Sequence, residues 1–519
     1  MQHTASISPL SSKLDAITDS LPLFLPEFTI IATFILVLVT GLLVKKEGKK
    51  GLPQATLPLL MLCGLGAAFY FLAGQWHILA EPADIFLQMA HADRLSVFMK
   101  GLFLLATAGT VIINRSYHRH PEHAARTPEF YLLLTGLLLG SMVMSMATNM
   151  LLLFLSIEIV SISAYLLTGF LRNARSAEAG IKYLIFGATA SSLMLFGMSL
   201  LYGFSGTLTF TDSVFVQNLA EVPPIPVLIG NLLVLCGLFF KISLIPLHIW
   251  APDVYEGGPL PAVALFSIVP KLAGLAVLLR FFAIIMSTAS PLPDTMDWQT
   301  LLVFAGIATL LVGNLAALWQ QSVRRLMAYS SIAHGGFMLA ALLAYSDTGT
   351  ESLLFYAAIY LIMNLAAFQW LAYFENKYGV RHVRGFAGLF RQEPLAAVCL
   401  LIVMIALTGL PPTAGFTAKL LVFGGLWDSY SATGQSALMA LLLTGLFSTI
   451  AALFYYLKIP YFLFFRMPEK EHAVPAAAGG RDSKSGLWAG TIFTLPLLLF
   501  FVKADWLSDI IRMVNFVLQ

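Results

Sequence analysis

Residues 239–259 read FFKISLIPLHIWAPDVYEGGP, and the rest of the chain is interpreted around them. They continue an apolar run, 227–240, that has the character of a membrane span. Lys241 then places an ammonium group in this span without a charged neighbour in sequence, which is costly in hydrocarbon. Pro246 removes a backbone N–H and predicts a kink or break in the helix. A buried charge beside a broken helix is typical of the ion paths of membrane transporters, whereas a lysine that snorkels from a helix end is the alternative.

The composition is that of a polytopic membrane protein. Of the 519 residues, 58% are hydrophobic and 11% are charged, whereas soluble domains carry about 25% charged residues. The formal net charge is +3, and the basic residues are placed in loops by membrane topology. We therefore expect the lipid bilayer as a partner and no nucleic acid.

The sequence contains no motif for a bound cofactor. The three cysteines, Cys63, Cys236 and Cys399, lie far apart in apolar runs and form no CxxC pair, which gives no support to an iron–sulfur centre. No GxGxxG follows a strand pattern, so a dinucleotide fold is not supported. The histidine-rich tract 118–123 could hold a metal, but its arginines favour a solvated basic loop. We therefore expect no cofactor and no metal in this chain.

Fourteen runs are long and apolar enough to span a bilayer, which takes about 20 residues. They lie at residues 24–44, 54–74, 94–114, 128–147, 149–171, 178–204, 226–246, 260–283, 299–319, 325–345, 351–375, 393–427, 436–460 and 487–510. The run 393–427 is too long for one straight helix and contains Pro411 and Pro412, which predicts a second broken helix. The fold class is therefore an all-α membrane protein of about 14 transmembrane helices, of which helices 7 and 12 are discontinuous.

The whole chain, 1–519, is predicted to form one membrane domain without a separate soluble part. Helices 1–3 (24–114) precede a first half at 128–283 and a second half at 299–460, and the last helix lies at 487–510. Each half contains one broken helix and a buried lysine near the break. This pattern predicts an inverted repeat of helices 4–8 and 9–13.

Lysine and arginine residues alternate between successive loops. Those that follow spans 1, 3, 5, 9, 11 and 13 are Lys45, Lys46, Lys49, Lys50, Arg115, Arg119, Arg126, Arg172, Arg175, Arg324, Arg325, Lys377, Arg381, Arg384, Arg391, Arg466, Lys470, Arg481 and Lys484. The even-numbered loops hold almost none, and the segment after span 7 is expected to be partly buried. By the positive-inside rule, the basic loops face the cytoplasm and both termini lie outside.

Four charged side chains lie deep in spans and are functional candidates by default. They are Glu158 in span 5, Lys241 in span 7, Lys271 in span 8 and Lys419 after the break of span 12. Other basic residues lie within reach of an interface, where they are expected to snorkel: Lys100, Lys182, Arg280 and Lys458.

The deep charges are expected to pair, because burial disfavours the charged form of a carboxylate or a lysine and pairing restores it. A Glu158–Lys241 pair about 4 Å apart would be a strong electrostatic contact. A pair that opens and closes is a switch for proton movement that needs no cofactor. A fixed structural ion pair is the alternative.

Two histidines are candidate proton relays. His334, mid-span in helix 10, could bridge Lys271 and Lys419 because histidine titrates near neutral pH, or it could be a hydrogen-bonded core residue. His248, next to the break at Pro246, could carry protons in from the cytoplasm or cap the broken helix.

Three motifs resemble the antiporter-like membrane subunits of proton-pumping NADH–quinone oxidoreductase, respiratory complex I. They are FKISLIPLHIWAPDVYEGGP at 240–259, RLMAYSSIAH at 325–334 and LPPTAGFTAK at 410–419. The resemblance covers helices 4 to 13, and the count of fourteen helices fits the whole chain. Within the family, the Asp253-Val254-Tyr255 triplet, the lysine at 419 and the end of the chain just after span 14 favour the subunit N (subunit 2) branch.

The resemblance implies a function and a setting. Glu158, Lys241, Lys271 and Lys419 match the charges that this family uses for proton translocation, which is coupled to electron transfer from NADH to quinone. Flavin and iron–sulfur clusters are then expected in peripheral partner subunits of the complex. Other antiporter-like subunits are expected beside this chain in the bacterial cytoplasmic (inner) membrane.

One departure from the family pattern concerns helix 11. Sister subunits carry histidine and lysine there, whereas this sequence has Met363, Asn364 and Gln369. A route through helix 11 is therefore not expected, which favours His334 as the bridge. A subunit of a multisubunit cation/proton antiporter is the alternative function, since such subunits share the fold and the buried charges. An independent solute transporter would show more polar and aromatic groups at the break.

Overall fold

The computed structural model describes residues 10–46, 56–79, 81–117, 127–287, 298–344, 346–467 and 483–514. Several predicted loop features fall outside these residues: Lys49, Lys50, Arg119, Arg126, Lys470, Arg481 and the histidine tract 118–123.

The described residues form 19 α-helices and one two-stranded sheet. The helices are α1 (Leu10–Ser20), α2 (Leu25–Lys46), α3 (Thr56–Ile78), α4 (Arg94–Ser116), α5 (Thr127–Met146), α6 (Met150–Thr168), α7 (Ala174–Ser205), α8 (Ser213–Ala220), α9 (Pro224–Ile242), α10 (Trp250–Gly257), α11 (Leu260–Ser287), α12 (Trp298–Leu318), α13 (Val323–Leu343), α14 (Asp347–Tyr378), α15 (Pro394–Thr408), α16 (Ala414–Thr433), α17 (Ser436–Phe465), α18 (Ser483–Val502) and α19 (Asp505–Arg512). Short 3₁₀ helices lie at Leu21–Phe24, Val383–Phe386 and Leu389–Arg391.

Thirteen helices of the described chain are long and apolar enough to cross a membrane. One further span is shared between α15, a shorter apolar helix, and α16, which follows it after a break. Each predicted span has its helix, and the prediction of an all-α membrane fold with about fourteen spans is confirmed.

Two details differ from the sequence prediction. Span 14 ends at Val502 rather than near 510, because the charges at Lys503, Asp505, Asp509 and Arg512 are unfavourable in hydrocarbon. Lys503 precedes α19, and the other three charged residues belong to it; this helix buries Leu507 and Ile511 against the bundle. The fold also contains a small antiparallel hairpin, β1 (Ala83–Ile85) and β2 (Ala90–Ala92), between α3 and α4.

The two predicted helix breaks are present and share a local pattern. Helix α9 is capped by Ser243, whose φ of 62° is left-handed, and α15 is capped by Gly409, whose φ is 85°. In each case a proline follows three residues later, at Pro246 and Pro412, and closes off the helix. The shared pattern supports two related halves, while the inverted repeat of helices 4–8 and 9–13 stays a prediction.

Helix α11 lies at the centre of the bundle. Its side chains from Leu260 to Ala283 are all buried, and it packs against α4, α5, α9 and α14. A charged residue on this helix cannot reach the surface by extending its side chain. Lys271 is therefore held inside the protein and must find its partners there.

Candidate functional site

The first two deep charges do not form the predicted ion pair. Lys241, in the last turn of α9, donates a hydrogen bond to the hydroxyl of Ser161 on α6. Glu158, about one turn earlier on α6, accepts a hydrogen bond of 2.6 Å from the hydroxyl of Ser191 on α7. Among the described residues no ion pair joins Glu158 to Lys241. The prediction of a direct contact was wrong for this structure, because each charge takes a serine hydroxyl of a neighbouring helix instead.

Lys271 lies on the turn of α11 that faces Lys241. An ideal Cβ placed on Gly274, one turn from Lys271, would lie 3.4 Å from Lys241 Cβ, so α9 and α11 are in close contact here. The ammonium of Lys271 donates to the carbonyl oxygen of Ser331 on α13 at 3.0 Å. Lys271 is fully buried. The second lysine is thus linked to the helix that carries His334.

Hydroxyl groups surround the point where Lys271 meets α13. The Ser331 hydroxyl lies 3.0 Å from the hydroxyl of Tyr255 on α10 and 2.7 Å from that of Tyr360 on α14. Tyr360 also donates to the carbonyl of Ser267, one turn from Lys271 on α11, at 2.8 Å. Four helices therefore converge on one small cluster of exchangeable protons.

His334 is contacted by a tyrosine at each ring nitrogen. Its Nδ1 lies 2.7 Å from the hydroxyl of Tyr356, and its Nε2 lies 3.1 Å from that of Tyr456. Tyr456 in turn hydrogen-bonds the Ser330 hydroxyl. A neutral imidazole donates at one nitrogen and accepts at the other, so this chain of groups can hold either of two opposite orientations. Interconversion of the two orientations moves one proton along the chain.

Lys419 lies at the second break. Its ammonium donates to the carbonyl of Thr408, at the C-terminal end of α15, at 2.7 Å, where the helix dipole favours a cation. It also lies 4.5 Å from the centroid of the Phe337 ring on α13. A Cβ on Gly409 would lie 2.5 Å from Lys419 Cδ, so this position needs a glycine both for space and for its positive φ. The break thus leaves the Thr408 carbonyl free to accept a hydrogen bond from Lys419.

The structure brings together most, but not all, of the predicted residues. Lys241, Lys271, His334 and Lys419 follow one another along α9, α11, α13 and α16, and Pro246, Pro411 and Pro412 lie in the two breaks. His248 precedes α10 and its carbonyl accepts the N–H of Ala251. Within the described chain, no hydrogen bond joins its imidazole to the four deep charges. The backbone of His248 thus starts α10, and a proton-carrying role has no contact to support it.

Tyrosines and serines are the functional candidates that sequence reasoning missed. They are Ser191, Tyr255, Ser330, Ser331, Tyr356, Tyr360 and Tyr456. A single hydroxyl in an apolar span is common, so none of these residues stands out alone. The signal that could have found two of them is the spacing of Tyr356 and Tyr360, which lie four residues apart and so share one face of a helix. Helix α14 corresponds to predicted span 11, where sister subunits of the family carry histidine and lysine. In this chain that face of the helix carries two tyrosine hydroxyls instead.

Helix α10, which carries Tyr255, is held in place by charged side chains of neighbouring helices. Arg325 of α13 pairs with Asp253 at 2.7 Å and Lys182 of α7 pairs with it at 3.0 Å. Arg324 donates to the carbonyl of Gly258, just after α10, at 2.9 Å. Burial alone would raise the pKa of Asp253, but Lys182 and Arg325 hold it below its usual range. The carboxylate is therefore ionised at neutral pH, and α10 stays fixed to α13.

Two of the four lysines and arginines expected to snorkel are instead buried in ion pairs. Lys100 is 1% exposed and pairs with Glu27 of α2 at 2.8 Å. Arg280 pairs with Asp93, at the start of α4, at 2.7 Å. Their partners lie far away in sequence, which is why the sequence did not reveal the pairs. Lys182 and Lys458 are partly exposed, in agreement with the prediction.

Comparison with known proteins places this geometry in a family. The family described as NADH:quinone oxidoreductase/Mrp antiporter, TM, matches residues 147–447, which contain all four deep charges and both breaks. The chain belongs to this family of antiporter-like membrane proteins.

Relatives within the antiporter-like family cover almost the whole chain. NADH-quinone oxidoreductase subunit N 2 of Chloroherpeton thalassium is 37% identical over 90% of each chain. NADH-quinone oxidoreductase subunit N of Chlorobium chlorochromatii is 35% identical over 99% of this chain and 98% of its own. These identities extend well beyond the three motifs, to the first helices and the last one.

Solved structures of the antiporter-like family share the fold. A chain of respiratory complex I from Thermus thermophilus superposes with a TM-score of 0.74 at 28% identity, and the match covers 93% of this chain and 98% of that one. A chain of the Mrp complex from Dietzia sp. gives a TM-score of 0.76 at 20% identity over 94% and 97%. The second likeness, at this low identity, bears on the fold alone.

Proposed function

We propose that this chain is the proton-translocating subunit N of an NADH–quinone oxidoreductase, and that its buried lysines carry the protons. The observation that carries the proposal is the succession of Lys241, Lys271, His334 and Lys419 through the middle of the bundle, each hydrogen-bonded to a hydroxyl group or a backbone carbonyl of a neighbouring helix. The relatives at 35–37% identity are subunits of such a translocase. Redox chemistry is assigned to partner subunits, which would hold the flavin and the iron–sulfur clusters.

Proton movement begins at the first break. Lys241 donates a hydrogen bond to the Ser161 hydroxyl. The negative charge of Glu158, about one turn from Ser161 on α6, favours the protonated ammonium. A shift of Glu158 away from Lys241, or its protonation, removes this stabilisation. The proton on Lys241 then leaves for Lys271, which lies across the contact at Gly274. Glu158 thus acts as the switch through its charge, without a direct contact to Lys241.

The second half of the route uses the hydroxyl cluster and His334. A proton that leaves Lys271 would pass first to the hydroxyl cluster at Ser331, whose carbonyl Lys271 contacts. Among the described residues no direct hydrogen bond joins this cluster to the Ser330–Tyr456–His334 chain, so the next transfer requires a rearrangement of hydroxyl groups between Ser331 and Ser330. Lys419 takes it up at the second break, where the carbonyl of Thr408 already orients the ammonium. Each carrier needs a side chain that can both hold and release a proton, which lysine, histidine and tyrosine can do.

Purification tests the proposed function most simply. A tag on this chain should bring down a complex that contains flavin and iron–sulfur clusters and that oxidises NADH with a quinone. Cation/proton exchange activity in a complex without these groups would support the multisubunit antiporter instead, whose fold the chain also shares.

The relay through α17 makes a prediction for Tyr456. Tyr456→Phe keeps the ring but removes the hydroxyl that joins Ser330 to His334, so proton pumping should slow by roughly tenfold, a barrier increase of about 1.4 kcal/mol. Pumping is measured by the quench of a pH-sensitive dye in membrane vesicles. Tyr461→Phe, on the exposed side of the same helix, is the matched control and should pump normally. Equal rates for the two variants would remove Tyr456 from the route.

The alternation of basic loops makes a prediction for topology. We propose that both termini lie outside the cytoplasmic membrane and that the loop around residue 480 lies inside, because lysine and arginine are retained on the cytoplasmic side. A reporter enzyme active only outside should be inactive when fused at residue 480 and active when fused after residue 519. The same signal from both fusions would contradict this orientation.

A further inference from the structure

One end of α17 carries a group of cations on a surface that is otherwise apolar. The exposed side of this helix presents a stripe of large apolar residues: Leu443, Phe447, Ile450, Phe454, Tyr461 and Phe465. Lys458 lies on this stripe, one turn after Phe454 and about one turn before Tyr461. A lysine on a membrane-facing stripe must direct its ammonium to the nearest polar layer.

The ammonium of Lys458 meets backbone and positive charge rather than a carboxylate. It donates to the carbonyl of Gln320, at the end of α12, at 3.3 Å. Arg384 belongs to the 3₁₀ helix Val383–Phe386, which packs against α17. The guanidinium of Arg466 lies 5.5 Å from the centroid of the Tyr461 ring. We call Arg384, Lys458 and Arg466 the basic patch.

The charge of the basic patch is not balanced within the described chain. No ion pair among the described residues involves Arg384, Lys458 or Arg466, whereas the neighbouring Lys377 and Arg381 pair with Glu393 and Glu375. Like charges on neighbouring elements repel each other, so an anion bound between them would be favoured. The uncompensated charge distinguishes the patch from the paired basic residues of the same end of the bundle.

Aromatic groups place the basic patch at the level of lipid headgroups. Trp319 precedes Gln320 and is 83% exposed. Tryptophan and tyrosine concentrate at the boundary between hydrocarbon and water, and basic pockets between helices bind anionic headgroups there. Trp319, next to the Gln320 that Lys458 contacts, and Tyr461, one turn from Lys458, therefore mark this boundary near Lys458.

We propose that the basic patch binds a phospholipid with an anionic headgroup. The phosphate lies between Lys458 and Arg384, and the acyl chains lie along the apolar stripe of α17. Charge complementarity and the continuity of the patch with the exposed stripe favour a lipid over a soluble anion. The inference does not depend on the proposed function.

A photoactivatable phosphatidylglycerol, with the reactive group in its acyl chain, tests the proposal on the purified whole complex. Mass spectrometry should find the label on peptides from residues 443–466, and photoactivatable phosphatidylcholine should label them far less. Inorganic phosphate should not compete. In the double variant Lys458→Gln/Arg384→Gln, labelling should fall by about fivefold for each cation removed.

A matched pair of variants separates this site from general surface charge. Arg172→Gln/Arg175→Gln removes two exposed basic residues elsewhere on the chain and should leave the label on α17 unchanged. If the first double variant fails to assemble, Arg466→Gln, which lies beyond the end of α17, takes its place in the same comparison. Equal labelling by the two lipids, equal labelling in both double variants, or a cross-link from the patch to an acidic segment of another subunit would overturn the proposal.

Discussion

Lys419→Arg is expected to abolish coupled proton pumping in a complex that still assembles. The guanidinium keeps the positive charge and can reach the Thr408 carbonyl, but it does not release its proton in a protein. A residue that cannot release its proton blocks proton transfer at the last step of the route. We expect a loss of about 100-fold or more, the lower range for removal of a proton-transfer group.

A comparison of two substitutions at Lys419 distinguishes a proton-carrying role from a structural one. Lys419→Met cannot take up a proton and should be equally inactive. If Lys419 only stabilised the break, arginine would be tolerated and methionine would not. Lys503→Arg, at an exposed lysine after α18, is the matched control, and the amount of assembled complex is checked by native electrophoresis. Full pumping by Lys419→Arg would assign the residue to structure.

Glu158→Gln is expected to give the second large effect. Glutamine can still accept the hydrogen bond from Ser191, so packing is kept and only the charge is lost. Loss of the attraction between two buried unit charges that are not in direct contact is expected to cost roughly 2 kcal/mol at an effective dielectric of about 20, which corresponds to about thirtyfold in rate. Coupled turnover, measured as NADH oxidation with quinone together with vesicle acidification, should fall by up to this factor.

Two companions sharpen the test of Glu158. Glu158→Asp keeps the charge and should be milder than glutamine. Glu178→Gln changes an exposed carboxylate on α7 that is not one of the four deep charges and should have little effect. Pumping at the wild-type rate in Glu158→Gln would mean that this carboxylate is no switch.

Much of the fold could be predicted because helix breaks, membrane spans and unusual charges within them depend on the local sequence alone. Pro246 and Pro412 break helices by their own covalent structure, and runs of about 20 apolar residues define spans wherever they occur. Lys271 and Lys419 stood out because a charge in hydrocarbon is rare. The positions of these residues in the structure follow from such local rules.

The contacts between helices could not be predicted in the same way. The Glu27–Lys100 and Asp93–Arg280 pairs join residues on separate helices, and no local rule fixes which helices pack together. For the same reason the hydrogen bonds of Glu158 with Ser191 and of Lys241 with Ser161 were not anticipated. Tyr456 meets His334 only because α17 returns to α13 more than a hundred residues later.

The central claim is that protons cross the membrane through the lysines of this chain, and Lys271→Met tests it most directly. The whole complex is reconstituted in vesicles, and proton uptake is recorded together with NADH oxidation by quinone and by a water-soluble acceptor that bypasses the membrane part. Lys271 is fully buried among the deep charges, and methionine is an unbranched side chain of similar length. We predict normal electron transfer to the soluble acceptor and a loss of quinone-coupled proton uptake. Proton uptake at the wild-type rate, with the wild-type number of protons per NADH, would contradict the account.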